Sequence, residues 1–179
     1  MKKTALILMF VPILFGSCNL SSENPVSQSA SIDTSVYTGK WDCVRFGGEA
    51  PSSQMLLTVA KNTNGTLLLT VSEGSDAHSQ SAVMGMAGNK VIASVQGNSG
   101  NWELLSIDIQ SNNTRLVVGV LDAAIVKQDI QSGVVTGEVS QIDTDTSLIR
   151  IKAACTNLAQ YLSAHTNAFT EGFIFDKVP

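Results

Sequence analysis

From Tyr37 onward, apolar and polar residues alternate with a period of two, in runs rich in Leu, Val, Ile and Thr. A period of two sends successive side chains to opposite faces, so each run predicts a half-buried strand. The runs are 54–61 (QMLLTVAK), 66–72 (TLLLTVS), 81–87, 90–96 (KVIASVQ), 102–109 (WELLSIDI), 114–121 (TRLVVGVL), 134–142 and 148–153. With 37–46 added, they make about nine strands, and 124–130 stays ambiguous between helix and strand. Short turns such as Asn62-Thr63-Asn64-Gly65, Gly88-Asn89 and Asp143-Thr144-Asp145 join neighbours and predict an antiparallel meander. So many short strands would leave exposed edges unless the sheet closed on itself. The expected fold is therefore all-β: an up-and-down barrel of about eight strands. After Cys155 the period changes. Leu158, Tyr161, Leu162 and His165 fall at helical spacing within 157–168, with Thr156 as N-cap, and Gly172 to Lys177 reads as a short terminal strand.

The first residues follow a different logic. Met1-Lys2-Lys3 is a cationic start, Thr4 to Phe15 is an apolar run too short to span a bilayer as a helix, and Gly16-Ser17-Cys18 follows. Phe15-Gly16-Ser17-Cys18 resembles the lipobox of bacterial lipoproteins. That resemblance implies a signal peptide over 1–17 and acylation of Cys18 by more than one chain, palmitate among them, which makes a firm anchor. It also implies a place in the cell envelope, and Asn19 after the cysteine, rather than Asp, favours the outer membrane. Residues 19–35 (NLSSENPVSQSASIDTS) are Ser- and Asn-rich without periodicity, so 18–36 is expected to be lipidated cysteine plus flexible tether, and 37–179 a single barrel domain.

Charge and cysteine content narrow the possibilities. Loss of Lys2 and Lys3 with the signal leaves nine basic residues against fifteen acidic ones, a net charge of −6. No basic run offers phosphate neutralisation, which argues against nucleic acid and against a basic patch for anionic membrane. Two cysteines remain once Cys18 is lipidated. In an oxidising compartment Cys43 and Cys155 are expected to pair, closing a loop of about 110 residues and adding about 4–5 kcal/mol; two buried free thiols are the alternative.

Tyr37-Thr38-Gly39-Lys40-Trp41 places Gly-x-Trp at the opening of the first strand of a many-stranded chain that ends in a helix and a short strand. In this it resembles the lipocalin and wider calycin group, whose helix packs outside an eight-stranded cup. The Thr-Asp-Tyr segment of that group is absent, and Arg115 or Arg150 would have to supply the arginine that stacks on its tryptophan. The resemblance implies a small-ligand role for Trp41; the residues themselves are equally read as a turn glycine and a core-filling aromatic.

Catalytic chemistry finds little support. The chain has many serines but only His78 and His165, no Gly-x-Ser-x-Gly elbow, and Asp143 and Asp145 in a turn where carboxylates ordinarily cap backbone N–H groups. No enzyme activity, metal or cofactor is expected. Met84-x-Met86 puts two thioethers on one strand face, with Met55 on an earlier strand and His78 nearby in sequence. Soft sulfur suits Cu(I), but so sparse a pattern fits flexible gap-filling or an adaptable apolar pocket better. The expected function is a membrane-anchored binding module for a small apolar ligand, with Trp41, Met55, Met84, Met86 and Trp102 as candidate contacts. The alternative is a lipoprotein that engages an envelope protein, as protease inhibitor, assembly factor or structural element.

Overall fold

The computed structural model describes residues 20–179 apart from Ala30, Asn98 and 143–145; the lipobox cysteine and the Asp143–Asp145 turn lie outside the described residues. Eight strands close a barrel: β2 (Gly39–Phe46), β3 (Met55–Lys61), β4 (Leu67–Glu73), β5 (Asp76–Ala87), β6 (Lys90–Gln96), β7 (Trp102–Gln110), β8 (Arg115–Leu121) and β11 (Phe169–Lys177). Neighbours pair antiparallel throughout, β6 joins β7, and β11 closes the ring between β8 and β2. The alternation read from sequence is what the walls obey. Leu57, Val59, Val71, Met84, Leu105 and Val118 turn inward to one buried cluster that also holds Trp41, Phe173 and Phe175.

The meander is interrupted before its last strand. Between β8 and β11 the chain makes helix α1 (Ala123–Gln131), the hairpin β9 (Gly137–Gln141) and β10 (Ser147–Ile151), and helix α2 (Cys155–Ala164). The ambiguous piece near 124–130 is therefore helical, because Asp122 caps it by accepting from the Ala124 and Ile125 N–H groups at 2.8 and 3.3 Å. The hairpin expected to belong to the barrel lies outside it. There, with α1 and α2, it covers a second core that includes Ile92 and Leu104 from the outer barrel wall, Val126 of α1, Ile149 and Ile151 of β10, and Leu158 and Leu162 of α2. The Tyr161 hydroxyl donates to Asp129 at 2.7 Å and ties the two helices. Helix α2 starts two residues earlier than its spacing predicts, with Ala154 at the N-cap and no side-chain capping bond, so Thr156 does not cap it.

The segment expected to be a flexible tether is instead packed along the barrel. Strand β1 (Leu20–Ser22) pairs parallel with β10 and meets β7 at Ser22–Trp102, in the place that β8 leaves open because its own pairing with β7 begins at Leu105. The chain then crosses the outer wall. Val26 is 1% exposed, and its N–H donates to Ser94 Oγ at 2.9 Å. Ser29 N–H donates to the Met84 carbonyl at 3.0 Å, on the stretch of β5 that runs past the β3–β4 turn. Gly85 makes this approach feasible, since a Cβ there would sit 2.4 Å from the Ser27 carbonyl oxygen. A polar composition hides such docking because backbone groups, not side chains, make most of the bonds.

Both remaining cysteines are free, so the expected Cys43–Cys155 bridge does not form. Cys43 faces the barrel interior beside Trp41 and Met55, whereas Cys155 begins a helix packed on the outside of the wall. Spacing along the chain could not reveal that one thiol lies inside the barrel core while the other stands at the start of an outer helix.

Candidate functional site

The segment packed along the barrel wall from Leu20 onward, here called the strap, ends in a short 3₁₀ turn, Thr34–Tyr37, started by Asp33, whose carboxylate accepts from the Ser35 N–H at 3.0 Å. This turn lies across one end of the barrel, the end formed by the β3–β4, β5–β6 and β7–β8 turns. Ile32, Val36 and Tyr37 pack against the barrel core there, and the Trp41 Nε1–H donates to the Tyr37 carbonyl at 2.8 Å. Gly39, between them, holds φ +125°, a conformation that L side chains rarely adopt, and the chain can turn sharply into β2. Lys177 Nζ from β11 stands 5.0 Å from the centre of the Trp41 ring. A lysine of the terminal strand thus takes the cation position over the tryptophan, not Arg115 or Arg150. Arg115 is engaged elsewhere, in a bidentate pair with Asp176 at 2.8 and 3.0 Å.

Two hollows adjoin at this end. The inner one has a volume of about 50 Å³ and an almost wholly apolar lining that includes Leu57, Val71, Met84, Ala93, Leu105 and Val118. That is room for one or two groups the size of a water molecule, and an apolar lining favours a dry site. The outer one is a notch of about 430 Å³ in the barrel rim, where β7 runs on past the start of β6. Asn89, Lys90, Ser106 and Asp108 give it polar groups, while Val91, Ile107 and Ile109 give it an apolar floor. Tyr37 and Ile107 line both hollows, so the notch is the vestibule of the interior. Burial pushes the Tyr37 phenol above its ordinary value of 10, and the carboxylates of Asp108 and Asp33 add to the effect. The hydroxyl therefore stays protonated and able to donate a hydrogen bond at neutral pH.

The five residues singled out as ligand contacts do not converge. Met84 lines the inner hollow. Trp41 is fully buried in the barrel core, and Met55 is 2% exposed in the same core, but neither lines the hollow. Met86 follows Met84 on the same strand face, half-buried and outside that lining. Trp102 faces outward and borders a small groove of about 30 Å³ with Leu20, Glu103 and Leu121. His78 is exposed and six strand residues from Met84, about 20 Å along β5. The thioethers and imidazole thus form no common site. His165 sits at the end of α2, its ring 4.7 Å from that of Tyr161.

The sequence reading missed Tyr37 as a site residue because 37–46 reads as one strand, whereas Tyr37 closes a 3₁₀ turn and β2 begins at Gly39; it missed Lys90 and Asp108 because single charges at strand ends are ordinary. The Tyr37-x-x-x-Trp41 spacing was the available signal: a carbonyl four residues before a buried indole can accept its N–H. No family model, curated protein or solved structure matches this chain.

Proposed function

We propose that this chain is an envelope lipoprotein, anchored through Cys18, whose barrel is a non-catalytic binding module for a small amphiphile. The observation that carries the reading is the pair of adjoining hollows at Tyr37. The inner space alone is far below the roughly 300–1,000 Å³ of typical small-molecule sites, but the notch brings the combined site into that range. A ligand would place a short apolar end against Met84 and Leu105 and keep its polar part among Asn89, Lys90, Asp108 and the Tyr37 hydroxyl. The lipobox-like Phe15-Gly16-Ser17-Cys18 supports the anchor, and Asn19 supports the outer membrane as its destination.

Native mass spectrometry of the detergent-extracted protein, purified gently from its own envelope, tests both halves. The expected spectrum shows the lipid mass on Cys18 and a dissociable adduct of small-molecule size. Tyr37→Trp, which crowds the passage between the hollows, should deplete the adduct and leave the lipid. A protein bare of adduct speaks for a second reading, in which the domain engages an envelope protein. One feature favours that reading: Asp76 to Ser79 of β5 pair with β4 alone, leaving a short sheet edge to which a partner strand could add.

A further inference from the structure

We infer that the ligand taken at Tyr37 carries a short acylamino group, acetamido in its simplest form. Its methyl enters the inner hollow, its carbonyl oxygen accepts from the Tyr37 hydroxyl, and its amide N–H donates to Asp108. The inference rests on the binding reading above and adds the chemical class that the site selects.

The first observation is a buried donor that the protein leaves unused. Tyr37 is 8% exposed, and its backbone carbonyl is taken by the Trp41 indole, but no group among the described residues accepts from its hydroxyl. A buried hydroxyl without an acceptor is costly. The oxygen is not sealed in, since it is not one of the wholly enclosed, unpartnered side-chain atoms, and the ring lines both the notch and the inner hollow. An acceptor that arrives through the notch therefore meets a waiting donor. The second observation is size. The hollow beyond Tyr37, about 50 Å³ and almost wholly apolar, takes one or two groups as large as a water molecule. A methyl or ethyl end fits, and a long acyl chain does not. The acceptor must then lie within one or two atoms of the ligand's apolar terminus, which is the geometry of a short acyl group.

Charge selects among short acyl compounds. Asp108 lines the same notch, and its carboxylate lies near enough to Tyr37 to help push the phenol up. Its Oδ2 accepts from Gln110 Nε2 at 2.6 Å, and its Oδ1 takes no protein donor among the described residues. Lys90 is the one cation among the residues that line the notch, and its Nζ stands 5.6 Å from the centre of the Phe169 ring. A free carboxylate such as acetate or a fatty acid would meet Asp108 and Asp33 with no unengaged cation to offset them. A neutral amide suits both groups: its carbonyl takes the Tyr37 proton in a hydrogen bond, and its N–H gives a charge-assisted bond to Asp108. An ester supplies the first bond without the second. The notch, about 430 Å³ with Asn89 and Ser106 among its polar groups, has room for the body that bears the amide. An amino sugar and an amino acid both supply such a body, and the acetamido group is what they share.

Saturation-transfer NMR on the full chain, held in an amine-oxide detergent that carries neither sugar nor amide, tests this with four probes. N-acetylglucosamine and N-acetylglycinamide bear the acetamido group on a sugar and on an amino acid; N-hexanoylglucosamine has too long a chain, and glucose has no acyl group. The acetyl methyl should receive the strongest saturation, glucose should receive none, and the hexanoyl compound should bind more weakly than its acetyl counterpart. Binding of one acetyl probe without the other supports the class and names its source. Tyr37→Phe keeps the ring and removes the donor, so it should weaken the acetyl probe about five- to tenfold. Ala93→Val, which fills the hollow, should abolish the methyl signal. Glucose or N-hexanoylglucosamine binding as well as the acetyl probes, or an undiminished signal in Tyr37→Phe, overturns the inference. A native adduct that neither acetyl probe displaces also overturns it, and leaves the binding module standing. A protein with neither adduct nor acetyl signal removes the module and the inference together.

Discussion

Replacing Ala93 with valine separates a ligand-sized hollow from an ordinary packing gap. Ala93 is 3% exposed on β6, paired with Met84 on one side and Leu105 on the other, and it lines the inner hollow. Valine adds two methyl-sized groups, each on the order of the roughly 30 Å³ taken by a water molecule. The hollow of about 50 Å³ accommodates them nearly completely. Removing that void at about 24 cal/mol per Å³ gives about 1.2 kcal/mol, and burying two methylenes at about 0.8 kcal/mol each gives a similar figure. A β-branched residue also suits a strand. The expected result is a gain of about 1–1.5 kcal/mol in urea unfolding followed by circular dichroism, with a melting temperature higher by about 3–5 °C. The same variant should lose the small-molecule adduct in the native mass spectrum, because the apolar end of the ligand has nowhere to go. A destabilisation of 1 kcal/mol or more would refute the reasoning, since it means that the wall has no room to receive the side chain. Increased stability with an undiminished adduct would move the ligand out of the barrel.

Three further outcomes follow from the geometry. Gly85→Val should push the 25–29 segment off the β5 edge, costing about 1–3 kcal/mol and opening residues 23–31 to limited proteolysis; an unchanged digestion pattern would mean the strap is not held there. The guanidinium of Arg115 holds the Asp176 carboxyl below its ordinary value of 3.8, so the pair stabilises the fold above that pH, and the contribution is lost as pH falls through the lower folded-state value. Asp176→Asn should therefore flatten the pH dependence of the urea midpoint in that acidic window and leave the neutral-to-alkaline limb unchanged. Thiol titration under oxidising conditions should find both Cys43 and Cys155 reduced. Cys155 should react first with an aqueous maleimide, because Cys43 is buried and its thiol is pushed up to about 11 by that burial; a bridged pair would contradict the separate placement of the two thiols.

The barrel strands were legible because their side chains carry the information. In KVIASVQ the alternation alone gives bounds that coincide with β6, and the Asn62–Gly65 turn falls where β3 meets β4. Side-chain pattern failed where backbone or long-range pairing decides. The hairpin at 134–153 alternates as well as any barrel strand, and only the pairing of β11 with both β8 and β2 shows that it was left outside. The candidate site divides along the same line: Met84 could be found by strand parity, whereas the notch exists only because β7 outruns the start of β6.

The strap is the most consequential of these differences, because on the proposed function one short stretch would connect the lipid anchor with the ligand passage. Its apolar content is slight, yet Leu20 and Val26 are both buried, and polar neighbours bind the wall through Ser94 Oγ and the Met84 carbonyl. A Ser- and Asn-rich segment can dock this way whenever a sheet offers an unfilled edge, and β5 offers one beyond the β3–β4 turn. Docking shortens the link to Cys18 from a stalk to two residues, and it ends in the Tyr37 turn that roofs the interior. If Cys18 carries the proposed lipid, tension at that anchor has a direct covalent path to Tyr37, which lines both the notch and the inner hollow. Severing that path with a flexible insertion at Ala30, between the docked β5 edge and the Asp33 cap, should leave the lipid anchor intact and yet change how tightly Tyr37 covers the cavity, read as a faster exchange of the bound amphiphile.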